Sequence, residues 1–156
     1  MQIFHWMNNK KNFLVILTNP GTGKTHLCSA MMDWGMRTFH HVRYYNERTF
    51  LSKIRESFHT SPDDYIGYLK SMIDDDLIIL DDIGSEKHNE WREEVLLETV
   101  DERYNSGKPT IFTSNLCKTE FINRYHHRLC DRLFDVNNTI IEDFELPSWR
   151  KGEMFR

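Results

Sequence analysis

The sequence predicts an α/β domain in which a parallel sheet lies between two layers of helices. Strand-like apolar runs alternate with segments of helical periodicity, the arrangement in which crossover helices connect parallel strands. The run Leu77–Asp81 is almost continuously apolar, as expected for a strand whose two faces are both covered by helices. A length of 156 residues is enough for one domain with a core of its own. Together these observations predict a three-layer sandwich.

The predicted strands are short runs bounded by polar or turn-forming residues. Most are rich in the β-branched and aromatic side chains that suit an extended backbone. In chain order they are Phe13–Leu17, His41–Tyr45, Leu77–Asp81, Thr110–Thr113 and Thr139–Glu142.

The predicted helices place apolar side chains on one face at three- and four-residue spacing. They are Lys24 to about Met36, Glu47–Phe58, Asp64–Ile73, Glu90–Asn105 and a segment containing Arg128–Phe134. Ser61 and Pro62 suit the cap and the first position of the third helix, and Gly107 suits a stop after the fourth. The buried face of the first helix is expected to contain Leu27, Ala30, Met31 and Trp34.

The first strand leads directly into a sequence typical of phosphate-binding loops, Thr18-Asn19-Pro20-Gly21-Thr22-Gly23-Lys24-Thr25. The pattern G-x-x-x-x-G-K-[ST] turns backbone N–H groups toward phosphate, supplies a lysine and offers a hydroxyl to Mg²⁺ at a helix N-terminus. Thr18 occupies the first glycine position, which is compatible with the loop if the backbone there needs no positive φ. We interpret the segment as a nucleotide site; the alternative is a glycine-rich turn with an incidental lysine.

Two carboxylates, Asp81 and Asp82, end the third strand. Burying charged carboxylates at the end of an apolar strand costs free energy unless they face a cation or hydrogen-bond donors. If this strand lies beside the first one, Asp81 reaches Mg²⁺ through a water, and Asp82 orients and deprotonates the attacking water. The alternative is that both carboxylates cap a turn before Gly84.

Thr113-Ser114-Asn115 follows the fourth strand, and open α/β sheets bind ligands at the carboxyl ends of their strands. The Asn115 amide can there hydrogen-bond a γ-phosphate oxygen or the lytic water. The alternative is an asparagine that only forms a turn.

Arg128 and Arg132 are four residues apart and therefore share one face of the last helix. In one interpretation they are solvated or pair with Asp131 and Asp135. In the other they approach the γ-phosphate of a neighbouring subunit and stabilise the charge of its transition state.

Composition argues against several classes of protein. No run approaches the ~20 apolar residues of a membrane span and no signal-peptide pattern is present, so a cytoplasmic protein without a membrane partner is expected. Cys28, Cys117 and Cys130 form no CxxC pair, and the eight histidines lack zinc-ligand spacing. Reduced thiols and no zinc site are therefore expected.

A net charge of −4 argues against a surface coated with DNA-binding charge but permits a local basic track. The candidate cations are Lys10, Lys11, Arg37, Arg43, Lys53, Arg55, Arg103 and Lys108. The aromatic residues that could stack on bases are Tyr44, Tyr45 and Phe58. The alternative is a solvated face with core aromatic residues.

Taken together, five segments resemble the DnaC/DnaI/IstB group of AAA+ ATPases. They are N-P-G-T-G-K-T-H-L (Asn19–Leu27), L-I-I-L-D-D-I-G-S-E (Leu77–Glu86), T-S-N-L (Thr113–Leu116), R-L-C-D-R-L (Arg128–Leu133) and S-W-R (Ser148–Arg150). The resemblance spans Phe13 to Arg150. It implies a P-loop NTPase of the AAA+ type with a five-stranded parallel sheet in the order 5-1-4-3-2. A C-terminal lid domain is not expected, because the chain ends soon after Trp149 and Arg150. It also implies an oligomer with ATP at the subunit interfaces.

The resemblance also implies roles for individual residues. ATP is bound by Asn19, Pro20, Gly21, Thr22, Gly23, Lys24, Thr25 and His26. Mg²⁺ is held by Thr25 and Asp81. The catalytic residues are Asp82, Asn115 as sensor 1, Arg132 as arginine finger and Arg128 as a second interface contact; Arg150 is a candidate sensor 2.

The function implied is that of an ATPase of DNA replication that resembles a replicative helicase loader, with weak activity as a monomer. Its expected partners are a replicative DNA helicase, single-stranded DNA and further copies of itself. The alternatives are an IstB-like transposition helper, a small-molecule P-loop kinase and a scaffold that binds ATP without hydrolysis. We expect a lead-in segment over residues 1–12, the ATPase core over 13–150 and a tail over 151–156.

Overall fold

The structure is a computed structural model that describes residues 2–9, 13–60, 62–87 and 89–143. Helices and strands alternate along these ranges, and β1 and α5 have the bounds that the sequence predicts. In chain order the elements are α1 (Gln2–Asn9), β1 (Phe13–Leu17), α2 (Lys24–Thr38), β2 (Val42–Asn46), α3 (Glu47–Thr60), α4 (Pro62–Asp74), β3 (Leu77–Ile83), α5 (Glu90–Asn105), β4 (Thr110–Ser114), α6 (Lys118–Arg124), α7 (His127–Leu133) and β5 (Thr139–Asp143).

The strands form one parallel sheet in the order β2-β3-β4-β1-β5. The run β1-β4-β3-β2 is the order that the AAA+ resemblance implies, and it is confirmed. Leu17 at the end of β1 lies opposite Ser114 at the end of β4, and Asn46 of β2 lies opposite Asp81 of β3. The carboxyl ends of these four strands therefore meet along one edge of the sheet.

Helices cover both faces of the sheet, which confirms the predicted three layers. Along β1, Leu14 and Ile16 pack toward α1 and α2, whereas Phe13, Val15 and Leu17 pack toward α3–α7. Alternate side chains of a strand point to opposite faces, so a strand covered on both faces has to be apolar throughout. All five side chains of β1 are accordingly buried.

Two helices were not predicted from the sequence, α1 and α6. α1 buries Trp6 completely, and the Trp6 ring lies 5.9 Å from that of Trp34 on α2. α6 buries Phe121. Each helix is too short for its periodicity to stand out, so packing against neighbouring elements stabilises it rather than intrinsic propensity.

The predicted buried face of α2 was partly wrong, because Ala30 is exposed. The buried positions are instead Lys24, Cys28, Met31 and Gly35. The buried positions still recur at helical spacing. Because the side chain of Lys24 turns back under the preceding loop, the first residue of α2 determines which face of the helix is buried. Pro62 begins α4 as predicted; its predicted cap, Ser61, lies outside the described residues.

Arg103 was predicted as a candidate DNA-binding cation, and this was wrong because the side chain is 0% exposed. Its guanidinium donates to carbonyl oxygens at the end of α4 and after α5, and to the Thr110 hydroxyl. Burial lowers the pKa of Arg103 to about 10. Arg103 therefore joins α5 to the start of the sheet. None of the described helices is long and apolar enough to cross a membrane.

Candidate functional site

The loop after β1 has the backbone that a phosphate site requires. Gly21 and Gly23 have φ angles of 85° and 93°, a left-handed conformation that glycine adopts without steric cost. Thr18 does not share it, and its N–H donates to the Ser114 carbonyl of β4 at 3.2 Å. A threonine therefore fits where the usual pattern has glycine.

Lys24 begins α2 and points back under this loop. Its Nζ donates to the carbonyl oxygens of Thr18 and Asn19, at 2.7 and 2.9 Å. Thr22 Oγ1 donates to the same Asn19 carbonyl at 3.1 Å, which holds the loop closed on itself. The ammonium group is thus fixed in the concavity where the loop's N–H groups and the helix N-terminus attract an anion.

Asp81 is buried at the carboxyl end of β3. Its Oδ2 accepts from Thr25 Oγ1 at 3.1 Å and from the Tyr44 hydroxyl at 2.7 Å. Its Oδ1 accepts from Thr113 Oγ1 at 2.5 Å. This contact network joins α2, β2, β3 and β4 at one carboxylate.

The condition that β3 lies beside β1 was wrong, because β4 lies between them. Asp81 nevertheless reaches Thr25, since the carboxyl ends of all these strands open onto the same edge and α2 begins above it. The intervening β4 contributes Thr113, which donates to Asp81, and Asn115, directly after β4, lines the cavity beside them.

Asp82 has a φ of 63°, the single left-handed non-glycine residue in the described ranges. It lies where the register of β3 against β4 shifts, between Leu80 and Ile83. Its N–H donates to Thr113 Oγ1 at 3.0 Å, and its Oδ1 accepts from Asn115 Nδ2. Such strained backbone is often found where a side chain has to point into a functional site.

Burial raises the pKa of Asp82, and the neighbouring Asp81 charge raises it further; the Lys24 ammonium acts in the opposite direction. A carboxylate with a raised pKa is a stronger base than one in water. Asp82 is therefore a candidate for accepting a proton.

The predicted residues of the loop and strand ends converge on one cavity of about 720 Å³. Its lining residues are Pro20, Gly21, Gly23, Lys24, Thr25, His26, Asp81, Asp82 and Asn115. Asn19 and Thr22 belong to the loop but shape it through the contacts described above rather than lining the cavity. Its volume falls in the range of small-molecule sites.

The oxygen donors of this cavity fit Mg²⁺ together with a nucleotide. Thr25 Oγ1 and the carboxylates of Asp81 and Asp82 are hard oxygen ligands. The described residues contain no cluster of three or more His, Cys, Asp or Glu side chains around a metal position. Phosphate oxygens and waters would therefore complete the coordination, which is how Mg²⁺ is usually held beside nucleotides.

The arginine pair, Arg128 and Arg132 of α7, lies outside this cavity. Both side chains bond to Asp101 of α5, Arg128 at 2.6 Å and Arg132 at 2.9 Å. The Arg132 guanidinium also lies 4.7 Å above the centre of the Tyr104 ring. The predicted partners Asp131 and Asp135 were therefore wrong, because the face of α7 that carries both arginines packs toward α5.

Sequence reasoning missed three residues of the site. Tyr44 was predicted as a base-stacking residue but bonds to Asp81; Thr113 was treated only as part of a motif. Glu47 at the start of α3 accepts from the N–H groups of Gly84 and Glu86, both at 3.1 Å, and so holds the loop after β3. Burial raises the pKa of Glu47. Tyr44 pairs with Ile79, two positions before Asp81 on the same face of the sheet, and no signal in the local sequence shows this register.

The structure also changes the set of DNA-contact candidates. Tyr45 is buried in the core, Arg43 pairs with Asp75 at 2.7 Å, and Lys108 donates to the Asp74 carbonyl at 2.8 Å. The candidates that stay exposed are Arg37, Lys53, Arg55 and Phe58. Lys10, Lys11 and the sensor 2 candidate Arg150 lie outside the described residues.

Comparison with known proteins identifies the family of the chain. The sequence model of the family described as IstB-like ATP binding protein matches residues 1–135. The chain is 25% identical over 131 residues to the replicative helicase loader DnaC of Escherichia coli K12, which covers 84% of this chain and 53% of that protein. It is 28% identical over 155 residues to an ATP-binding protein in an insertion sequence of Mycobacterium tuberculosis, which covers 87% of this chain and 55% of the other.

Among solved structures, the AMPPCP-bound DnaA of Aquifex aeolicus has a similar fold, with a TM-score of 0.78 and 20% sequence identity. That similarity covers 98% of this chain and 47% of the DnaA chain. The chain spans about half the length of the curated relatives it matches.

Proposed function

The chain belongs to the family of IstB-like ATP-binding proteins, and we propose that it is a magnesium-dependent ATPase of the helicase-loader type. The ATPase core corresponds to residues 13–150. The observation that carries the proposal is the convergence of Lys24, Thr25, Asp81, Asp82 and Asn115 on one cavity, while the arginine pair lies outside it.

In this proposal the loop residues Asn19–His26 bind the phosphates of ATP. Lys24 exchanges the two carbonyl oxygens that it now contacts for the β- and γ-phosphate oxygens. Thr25 binds Mg²⁺ through Oγ1, and Asp81 binds it through a water. Bound magnesium neutralises charge that develops on the β- and γ-phosphate oxygens.

Asp82 and Asn115 act on the attacking water. Asp82 accepts its proton, for which the raised pKa suits it, and the Asn115 amide orients the water or the γ-phosphate. The contact between the two side chains holds both over the same part of the cavity. The left-handed backbone of Asp82 points its carboxylate there.

Arg132, with Arg128 beside it, supplies positive charge to the site of a neighbouring copy. A phosphate can compete with Asp101 for these side chains because those of Arg128 and Arg132 are 60% and 37% exposed, although the Asp101 side chain is only 13% exposed. Arginines supplied to phosphoryl transfer in this way contribute about 10³–10⁵ in rate. A single subunit therefore hydrolyses ATP slowly, and an oligomer with ATP at its interfaces is the active form.

The proposed partner is a replicative DNA helicase, since DnaC is named for that activity. Single-stranded DNA is a second partner, with the exposed Lys53 and Arg55 of α3 as contacts. The family match and the insertion-sequence relative equally favour a transposition helper with the same catalytic core. Capture of a helicase or of a transposase by the ATP-bound protein separates these two functions.

The test of the shared site is turnover per subunit measured against protein concentration. For the wild type we expect turnover to rise with concentration, because assembly brings Arg132 to a second subunit. Arg132→Ala should lower turnover at high concentration by about 10³-fold while leaving ATP binding in place.

Arg37→Ala is the matched control, because Arg37 is also an exposed arginine bonded to an aspartate, Asp33, at 2.8 Å. It should behave as the wild type does. Turnover that is independent of concentration and unaffected by Arg132→Ala would reject the shared site. Absence of ATP binding in the wild type would reject the ATPase itself.

A further inference from the structure

The carboxylate of Asp81 is saturated with donors from its own chain. Asp81 is 3% exposed and receives hydrogen bonds from Thr25, Tyr44 and Thr113. The Cys28 thiol adds a weaker one, with Sγ 3.6 Å from Oδ1. An ionised carboxylate offers about four lone-pair sites, so the four donors occupy all of them.

This saturation conflicts with the role proposed for Asp81. To hold Mg²⁺ through a water, the carboxylate has to accept a hydrogen bond from the metal's hydration shell. One of the four present donors must therefore leave when magnesium binds. The identity of that donor depends on how firmly each one is held.

Three of the donors are fixed. Thr113 is fully buried and its hydroxyl also accepts from Asp82 N–H at 3.0 Å. Cys28 is 0% exposed inside the interface of α2 with the sheet, where no water can replace it. Thr25 lies at the start of α2 and is itself the proposed magnesium ligand.

Tyr44 is the donor that can move. It lies on β2, the edge strand of the sheet, and its ring is only partly buried against the α2 side of the core. Its hydroxyl contacts Oδ2, the oxygen that Thr25, the proposed magnesium ligand, also contacts. A rotation of one side chain would free this oxygen without disturbing the strand ends.

We propose that Tyr44 is a positioning residue that occupies the acceptor site of Asp81 in the metal-free protein and yields it to magnesium's hydration water when Mg·ATP binds. The tyrosine keeps the buried carboxylate satisfied in the empty site and competes with the metal for it. This inference rests on the proposed ATPase function, because it assumes that ATP and magnesium bind in this cavity.

The test compares the wild type with Tyr44→Phe by calorimetric titration of ATP, once with EDTA and once with Mg²⁺. The measured quantity is the gain in ATP affinity caused by magnesium. Loss of the competing hydroxyl should raise this gain about tenfold, the equivalent of one hydrogen bond to a charged group. In the nucleotide-free protein the same substitution should lower the thermal midpoint by about 2–4 °C, because Asp81 loses a donor.

Tyr68→Phe is the control, since it also removes a phenol hydroxyl bonded within the protein, to Tyr45 at 3.1 Å, but in the core on the opposite face of the sheet from Tyr44. Tyr68→Phe should leave the gain in ATP affinity caused by magnesium unchanged. If magnesium raises the ATP affinity of Tyr44→Phe by the same factor as in the wild type, or by less, this inference alone is overturned. A tyrosine that only orients Asp81 would strengthen the metal site, so its removal would reduce the effect of magnesium. Absence of ATP binding by the wild type would overturn the proposed function as well.

Discussion

The nucleotide cavity and the arginine pair both gather charged side chains, but they satisfy those charges in different ways. In the cavity, Lys24 and Asp81 are buried and bonded to loop carbonyls and strand-end hydroxyls of the same chain. In the arginine pair, the side chains of Arg128 and Arg132 are 60% and 37% exposed and share the single carboxylate of Asp101. The first arrangement holds its charged groups inside the protein, and the second leaves its arginine side chains partly exposed at the surface.

The difference follows from the energy of each contact. A buried polar group that loses its partner costs about 1–3 kcal/mol, whereas an exposed ion pair contributes about 0–1 kcal/mol. Groups that must be in place before a ligand arrives therefore belong in the cavity. The arginine pair lies at the surface, where the proposal places the arginine contribution to catalysis.

The largest effect, on turnover, is expected from Asp82→Asn in the nucleotide cavity. Asparagine also tolerates a positive φ, so the backbone should be retained while the base is lost. Turnover should fall by about 10²–10⁴, with ATP affinity within a few-fold of the wild type. Phosphate release and calorimetry measure the two quantities, and Asp33→Asn on the exposed face of α2 is the control. Retained turnover would remove Asp82 from the mechanism.

A smaller effect is expected from Thr113→Val, which keeps the shape of the side chain but removes its hydroxyl. Asp81 then loses a donor and the Asp82 N–H loses its acceptor, so the free energy of unfolding should fall by about 1–3 kcal/mol. Denaturant titration measures it. In Thr38→Val the lost hydroxyl bonds only to a carbonyl of its own exposed helix turn, and stability should change little. Equal losses of unfolding free energy in the two variants would show that the buried Thr113 hydroxyl contributes no more to stability than an exposed one.

The smallest effect is expected from Asp101→Asn. The substitution removes the charge shared by Arg128 and Arg132 but retains an oxygen acceptor. Since the arginines are exposed, the free energy of unfolding should change by less than about 1 kcal/mol. A loss above about 3 kcal/mol is typical of breaking a buried ion pair. It would show that the arginine pair stabilises the fold in the way that the buried groups of the cavity do.

Much of this arrangement could be predicted from local sequence. The apolar run Phe13–Leu17 followed by the loop to Thr25 defines a strand, a turn and a helix within a few residues, and each step follows from backbone rules. The same holds for Asp81 and Asp82 at the end of a buried strand. The family resemblance drawn from these motifs is confirmed by the match over residues 1–135.

The errors share one cause, which is that burial and partner choice depend on distant segments. Arg103 looks like a surface cation until α4 and β4 surround it. Ala30 looks like a core residue until the loop fixes the rotation of α2. Tyr44 has an ordinary strand sequence around it, and only its register against β3 brings its hydroxyl to Asp81.

The amino-acid sequence by itself determined the phosphate loop, the acidic end of β3 and the apolar strands of the sheet, because each depends on residues close together in the chain. Tertiary structure alone decided that four donors saturate Asp81 and that Asp101 holds the arginine pair. Those contacts join residues that are tens of positions apart, and periodicity carries no information about which side chains such a fold brings together.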